Sequence, residues 1–135
     1  VAHWIREAGR KAVLLPGDLI THVTLPPPHA RARSHYLKLR DRASYEFALA
    51  SAAVVLAVEG GTIRHARVAL GGVGTRPWRS PEAERALEGN PPDAATFTAA
   101  ATAALAAARP QGENGFKIEL ARRCLTHALT TVATA

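Results

Sequence analysis

The fold is decided by residues 44–58, SYEFALASAAVVLAV, followed by EGGT at 59–62 and IRHARVAL at 63–70. The alanines of the first segment allow a helix, but its valines favour a strand. Two consecutive glycines then indicate a tight hairpin turn. Residues 63–70 alternate polar and apolar side chains, as an antiparallel return strand does. The sequence therefore predicts a β-hairpin with strands at 44–58 and 63–70.

Two further strands are predicted before this hairpin. Pro16-Gly17 is a strong turn signal, and the alternation in residues 18–25, DLITHVTL, predicts a strand that follows the turn. The three prolines at 26–28 end that strand because they have no backbone N–H groups. Alternation in residues 35–40, HYLKLR, predicts another half-buried strand with one charged face.

Helices are predicted in the second half of the chain. Ser80-Pro81 is an N-cap followed by a proline at the first helical position, and Gly89 ends that short helix. Residues 93–108 form a helix by propensity, and residues 116–132 form a last amphipathic helix. Strands that precede helices in this way indicate an α+β fold, an antiparallel β-sheet with helices packed on one face.

Length and composition limit the classes of protein. The chain has 135 residues, of which 47% are hydrophobic, so it can form the core of one domain. One cysteine excludes a disulfide framework and a multi-cysteine metal site. No apolar run approaches the roughly 20 residues that cross a bilayer, so no membrane partner is expected. The chain begins at Val1 and contains no methionine, and we expect it to be a segment of a longer protein.

The net charge of +6 is concentrated in one place. Such a cluster can meet nucleic acid, the phosphates of a cofactor or an acidic subunit. No zinc-finger spacing, RNA-binding signature or stacking platform accompanies it, so nucleic acid is not expected as a partner. Alternation along a strand would place Lys38, Arg40 and Arg42 on one side, either as an anion site or as a basic edge that prevents edge pairing. The five cations of residues 31–42 are Arg31, Arg33, Lys38, Arg40 and Arg42.

Other patterns that could carry chemistry are weak. None of the six histidines forms a His-x₃-His pair, so no metal site is expected. Cys124 lies inside the last predicted helix between apolar residues and is interpreted as core. The glycines of residues 71–74, GGVG, lack the full G-x-G-x-x-G spacing and are interpreted as a tight turn at a strand end. We therefore expect no catalytic residue in this chain.

Three ordered motifs carry a family resemblance. They are P-G-D-L-I-T-x-V-x-L-P at 16–26, Y-x-K-x-R-x-R-x-S-Y-x-F-A at 36–48 and A-L-G-G-V-G-x-x-P-x-R-x-x-x-A-E at 69–84. With them the chain resembles the C-terminal domain of the FAD-binding (medium) subunit of the xanthine dehydrogenase and carbon monoxide dehydrogenase family of molybdenum hydroxylases. The likeness is strongest to bacterial aldehyde or xanthine dehydrogenase subunits. It implies a domain at residues 16–135, preceded at 1–15 by a connector from an FAD-binding region.

The resemblance also implies the cofactor and its contacts. In the family a region N-terminal to this domain holds most of the FAD on Gly-rich loops, and the present chain has no equivalent of those loops. Ile20 matches the apolar position that lies against the flavin, and Lys38 matches the lysine that approaches it. Arg42 begins a segment that lies near the ring system in relatives. A fixed cation there stabilises the negative charge of the reduced flavin.

The partners that the resemblance implies are a molybdopterin-binding large subunit and a small subunit with [2Fe-2S] clusters. Substrate is hydroxylated in the large subunit, and the flavin passes electrons from the iron–sulfur clusters to an acceptor. The alternative is a non-catalytic subunit-assembly module whose cations never touch flavin. We expect a cytoplasmic location, or a periplasmic one if the complex is exported.

Overall fold

The computed structural model describes residues 15–134 and places in them a four-stranded antiparallel sheet and three helices. The strands are hydrogen-bonded in the order β1-β2-β3-β4. The predicted α+β fold with helices on one face is thus confirmed. The connector predicted at residues 1–15 lies, apart from Leu15, outside the described residues. The elements are β1 (Arg33–Leu39), β2 (Ala50–Glu59), β3 (Thr62–Gly71), β4 (Trp78–Arg79), α1 (Pro81–Leu87), α2 (Ala94–Ala104) and α3 (Phe116–Thr134).

The predicted hairpin is the centre of the sheet. Strands β2 and β3 pair from Ser51 opposite Gly71 to Glu59 opposite Thr62. The turn between them has Gly60 at φ 58° and Gly61 at φ 73°. Both angles are positive, as a type I′ turn requires, and glycine adopts them without a side-chain clash. Strand β2 begins later than predicted, because residues 44–49 form part of an irregular loop.

The core lies between one face of the sheet and the helices. Alternate residues of β2 and β3 point into it, and so does one stripe of α3 at helical spacing. Helix α3 packs across β1 and β2, α1 packs beside β3, and α2 packs against the other two helices. Many of the buried residues are alanines, which let the backbones approach closely. The buried residues of α3 are Ala121, Cys124, Leu125, Ala128, Leu129 and Val132.

The helix starts follow the capping residues in the sequence. The Ser80 hydroxyl accepts the Ala83 N–H at 3.2 Å at the start of α1, and the Asp93 carboxylate accepts the Thr96 N–H at 2.8 Å at the start of α2. Helix α2 ends at Ala104, four residues earlier than predicted. Its chain tightens there into bonds between residues three apart, among them Ala108 N–H to the Leu105 carbonyl at 3.0 Å.

The strand predicted at residues 18–25 is wrong. The turn before it is present, with Gly17 at φ 94° and the Asp18 N–H bonded to the Leu15 carbonyl at 3.0 Å. The residues that follow are exposed and form no strand ladder with any described residue. An extended segment becomes a strand only when a partner receives its backbone groups. Alternation in the sequence indicates the extended shape but not the partner.

The outer edge of β3 is closed by α1 rather than by a long strand. Strand β4 pairs only at Ala69 and Leu70. Further along, the Glu84 carboxylate accepts the Val68 N–H at 3.1 Å and the Glu88 carboxylate accepts the Ala66 N–H at 3.2 Å. These side chains satisfy backbone donors that a sheet edge would otherwise leave open for pairing.

Glu84 is the buried member of this edge. Its carboxylate also receives two hydrogen bonds from the Arg79 guanidinium, at 3.0 and 2.9 Å, and lies 3.8 Å from Arg67. Burial by itself would raise the pKa of Glu84. The hydrogen bonds from Arg79 and Val68, together with the charges of Arg79 and Arg67, outweigh burial and hold the pKa below its usual value of 4.5. Glu84 is therefore a charged, fully bonded group.

Replacing Glu84 should destabilise the fold strongly. Glu84→Ala leaves the Val68 N–H without an acceptor and the Arg79 guanidinium without its partner, and we expect a loss of about 3 kcal/mol in the free energy of unfolding. Because the folded-state pKa is lowered, the contribution is complete above the unfolded-state pKa and is lost as the pH falls through the folded-state value. Urea unfolding at neutral pH and at about pH 3 should show the difference between wild type and variant shrinking in acid.

The matched control is Arg85→Ala, one residue further along α1. Arg85 is exposed, and among the described residues its ion pair is with Glu82 at 3.4 Å, so its removal should change the free energy of unfolding by less than about 0.5 kcal/mol. Equal losses for the two variants, or a Glu84 effect that does not depend on pH, would contradict the assignment.

Candidate functional site

Lys38 is a half-buried cation of β1. It lies near the end of β1, and its ammonium Nζ donates to the Glu46 carbonyl at 2.7 Å. Residues 40–49 form the loop between β1 and β2, called here the 40–49 loop, and the Leu49 N–H closes its base on the Leu39 carbonyl at 2.9 Å. The strand therefore fixes the root of the lysine, and the loop fixes its charged end.

Arg42 holds the same loop from within. Its backbone N–H donates to the Glu46 carboxylate at 3.0 Å, and its guanidinium donates to the Tyr45 carbonyl. Lys38 and Arg42 thus bind the carbonyls of two consecutive residues. Tyr45 has φ 51°, the left-handed region that a bulky residue rarely adopts. The two cations stabilise a backbone conformation that its own sequence does not favour.

The predicted row of cations on one strand face is wrong. Strand β1 ends at Leu39, so Arg40 and Arg42 lie in the 40–49 loop, where strand alternation no longer applies. The loop, with its left-handed Tyr45, takes the place of the continuous strand that the pattern predicted. Lys38 and Arg42 nevertheless come together, because both bind the backbone of residues 45–46.

Two aromatic residues of the loop point into solvent. Tyr45 and Phe47 are each 95% exposed, and they flank the residue whose carbonyl binds Lys38. Together they place apolar ring surface in solvent on both sides of Glu46. Both residues stand in the motif at 36–48, but no role was predicted for them. The sequence feature that could have identified them is their position directly after a polar, charged stretch.

Ile20 lies in the extended segment before β1, and 49% of its side chain is exposed. That segment contacts the sheet through His29, whose ring stacks on His65 with the ring centres 4.6 Å apart. Among the residues that the structure describes, no hydrogen bond joins Ile20 to Lys38 or to the 40–49 loop. Of the three predicted cofactor contacts, Lys38 and Arg42 meet at the backbone of residues 45–46, and Ile20 lies in the extended segment before β1.

The other candidate groups do not form a reactive site. Cys124 is buried in α3, and burial raises the pKa of its thiol to about 11, so the nucleophilic thiolate is scarce near neutral pH. Its interpretation as core is confirmed. Within residues 15–134 no cluster of three or more His, Cys, Asp or Glu side chains is placed to hold a metal ion. No helix in this range is long and apolar enough to cross a membrane.

Comparison with known proteins identifies the family of this chain. The model of the CO dehydrogenase flavoprotein C-terminal domain matches residues 35–132. This range includes β1 from His35 onward, β2 to β4, all three helices up to Val132, and both Lys38 and Arg42. The chain belongs to this family. The resemblance inferred from the three sequence motifs is thus confirmed.

The proteins to which this chain is similar include oxidoreductase chains. The chain is 43% identical over 119 residues to the aldehyde oxidoreductase FAD-binding subunit PaoB of Escherichia coli, covering 88% of this chain and 34% of that protein. A carbon monoxide dehydrogenase chain from Hydrogenophaga pseudoflava superposes with a TM-score of 0.74 at 32% identity, covering 82% of this chain and 39% of that one. A chain of quinoline 2-oxidoreductase from Pseudomonas putida gives a TM-score of 0.71 at 25% identity, covering 76% and 37%. The present chain therefore spans between a third and two fifths of these relatives.

The glycine turn after β3 has a structural reason within this domain. Gly72 has φ 74°, and a Cβ built on it would lie 2.8 Å from the Ala48 carbonyl oxygen and 2.9 Å from that of Leu49. The turn thus packs directly on the backbone at the end of the 40–49 loop. Sequence reasoning interpreted residues 71–74 as a tight turn, and the structure confirms this.

Replacing Gly72 should therefore destabilise the fold by more than the backbone strain at its positive φ would alone. Gly72→Ala adds a clash with two backbone oxygens to an unfavourable φ, and we expect a loss of about 3 kcal/mol in the free energy of unfolding. Gly89→Ala is the matched control, because Gly89 has φ 85° but open space around its Cβ. That variant should lose only about 1 kcal/mol. Urea unfolding of both proteins checks the prediction, and equal losses would show that the close approach is unimportant.

Proposed function

We propose that this chain is the C-terminal part of the FAD-binding subunit of a molybdenum-dependent hydroxylase of the aldehyde or xanthine dehydrogenase type. In this proposal it contacts the flavin that passes electrons from iron–sulfur clusters to an acceptor. The observation that carries it is the placement of the Lys38 ammonium on the Glu46 carbonyl, at the edge of a loop that exposes two aromatic rings. The 43% identity to an FAD-binding subunit supports the same reading.

The residues present fit a planar ring that gains negative charge. The Lys38 ammonium uses one donor on Glu46 and retains two for a ligand. Tyr45 and Phe47 offer flat apolar surface on either side of that carbonyl. Arg42 holds the loop in place from within. We place the flavin ring next to Lys38 and the segment that begins at Arg42, with Ile20 as an apolar contact supplied by the extended segment.

Each side chain has a defined task in this proposal. When bound, the flavin supplies the transfer of electrons between the iron–sulfur clusters and the acceptor. Lys38 contributes a fixed positive charge in a partly desolvated position, which favours a reduced, negatively charged ring. Arg42 positions the loop by binding the Tyr45 carbonyl and the Glu46 carboxylate. The chain itself breaks no bond of the substrate.

The remaining parts of the enzyme would lie outside this chain. We propose that residues 16–135 form the C-terminal-type domain and that residues preceding it in the full subunit hold most of the FAD. Molybdopterin would lie in a large partner subunit, and the [2Fe-2S] clusters in a small one. The coverage of 34 to 39% of two relatives' lengths is consistent with such a division.

A second candidate function is a non-catalytic subunit-assembly module. It is favoured by the exposed apolar residues Leu19, Val23 and Leu25 in the extended segment before β1, which have no partner strand in the described part of the chain. An assembly module would need these residues but would not need the charge of Lys38. The two functions therefore differ in what the loss of Lys38 does to a bound flavin.

Loss of the Lys38 charge should lower the reduction potential of the flavin. In the assembled flavoprotein, Lys38→Met keeps the length of the side chain and removes only the charge, with little effect on packing. A cation beside the reduced ring contributes about 1 to 3 kcal/mol, so the two-electron potential should fall by about 20 to 65 mV. Potentiometric titration of the bound flavin measures the shift, while reduction of the enzyme by substrate in a single turnover should be unchanged.

The matched variant is Arg64→Met, which removes a cation from an exposed position of β3. Its flavin potential should equal that of the wild type. If Lys38→Met leaves both the potential and the flavin affinity unmoved, Lys38 is only an edge-strand lysine and the assembly function is the better reading.

The chain alone should bind FAD weakly or not at all. It offers contacts to the flavin ring but has no Gly-rich loop for the pyrophosphate, which is where dinucleotides gain much of their affinity. Purification of this chain in the presence of FAD, followed by absorbance at the flavin band, tests this. A yellow protein with one FAD per chain would contradict the proposed division of the site.

A further inference from the structure

A pocket of about 460 Å³ opens where the turn after β3 meets the ends of two helices. We call it the helix-end pocket. Its walls come from residues 72–75, from the last residues of α2 and the turn that follows, and from the first turn of α3. No residue of the 40–49 loop lines it. It is thus a concave site apart from the 40–49 loop.

Hydrogen bonds hold the walls of this pocket in place. The Lys117 ammonium donates to the Gly72 carbonyl at 3.2 Å and so joins the start of α3 to the turn after β3. The Gln111 N–H donates to the Asn114 side-chain oxygen at 2.7 Å and fixes the turn between α2 and α3. Gly72 itself is packed against the Ala48 and Leu49 carbonyls. Contacts within the domain thus fix the walls of the pocket.

The floor of the helix-end pocket is apolar. Ala104 and Leu105 are buried beneath it, and Ala108 and Ile118 are partly buried beside them. The Trp78 ring forms one wall and remains 45% exposed. A ligand with a flat or aliphatic body would remove this apolar surface from water and could stack on the indole.

The rim of the pocket carries only positive charge. Arg109 and Lys117 line it, and no aspartate or glutamate does. Arg109 forms no hydrogen bond or ion pair with any described residue. The side-chain amides of Gln111 and Asn114 complete the polar part of the lining. A lining with two cations and no carboxylate, above an apolar floor, complements a ligand that has an anionic head and an apolar body.

We propose that the helix-end pocket binds a small amphiphilic carboxylate. The apolar body lies on Leu105 and Ala108 against Trp78, and the carboxylate meets Arg109 and the free donors of Lys117. The pocket volume lies within the range of about 300 to 1,000 Å³ that is usual for small-molecule sites, whereas a docked polypeptide needs a longer groove. This site is independent of the flavin role proposed for Lys38.

The test uses 2-naphthoate as the probe and the neutral methyl 2-naphthoate as its matched control. NMR titration of the chain should show saturable shifts of the Trp78 indole signal and of residues 105–118, with a Kd of about 0.1 to 1 mM for the acid. Arg109→Gln should weaken binding about five-fold, because it removes the unpaired cation of the rim. Arg64→Gln, a cation away from the pocket, should leave the Kd unchanged.

A second variant tests the location without changing charge. Ala107→Phe places a ring at an exposed position of the lining and should abolish binding of 2-naphthoate, while the thermal unfolding midpoint stays near that of the wild type. The proposal is overturned if the methyl ester binds as well as the acid, if the shifts centre elsewhere, or if neither Arg109→Gln nor Ala107→Phe weakens binding. Shifts that appear only with an acidic peptide would assign the surface to protein docking instead.

Discussion

The carboxylate of Glu84 is the point on which the arrangement of sheet and helices depends. It accepts a backbone N–H from β3 and two bonds from Arg79 of β4, while its own backbone belongs to α1. One buried charge thus joins three elements that are otherwise connected by short turns. Since α1 packs on α2, this attachment positions that side of the helical layer over the sheet, while α3 also packs directly on β1 and β2. A buried carboxylate is tolerated there because each of its oxygens is bonded.

In the candidate site the charged groups are cations that donate to backbone carbonyls, whereas Glu84 is an anion that accepts a backbone N–H. At the 40–49 loop, cationic side chains bind backbone carbonyls, so that the positive groups keep donors for a ligand while they shape the loop. The left-handed Tyr45 is the cost of this shape, and the bonds from Lys38 and Arg42 offset it. The loop is thus held by these cationic side chains, and its two aromatic rings stay exposed.

The sequence predicted those parts of the fold whose causes are local. The Gly60-Gly61 turn, the Ser80 cap and the helical stripe of α3 depend on neighbouring residues, and all are present. The strand at residues 18–25 and the row of cations failed because each depends on what lies across space. The short β4 and the role of Glu84 were not foreseen, since neither has a pattern longer than a few residues. Lys38 was singled out through its motif. Its hydrogen-bond partner could not be predicted, because a backbone carbonyl is present at every residue and has no sequence pattern.

The alanines that line the sheet and the helices have a consequence for how this domain can vary. Ala50 and Ala52 of β2, Ala100 and Ala104 of α2, and Ala121 and Ala128 of α3 are all buried. Where two backbones pack against each other through alanine methyl groups, there is no flexible side chain that could move to make room for a larger residue. A larger residue would therefore increase the distance between the layers. We therefore expect substitutions in this core to occur in pairs, in which a smaller residue at one position compensates for a larger residue at the position that faces it. Among homologous chains the spacing of the layers should then vary less than the identity of the residues between them.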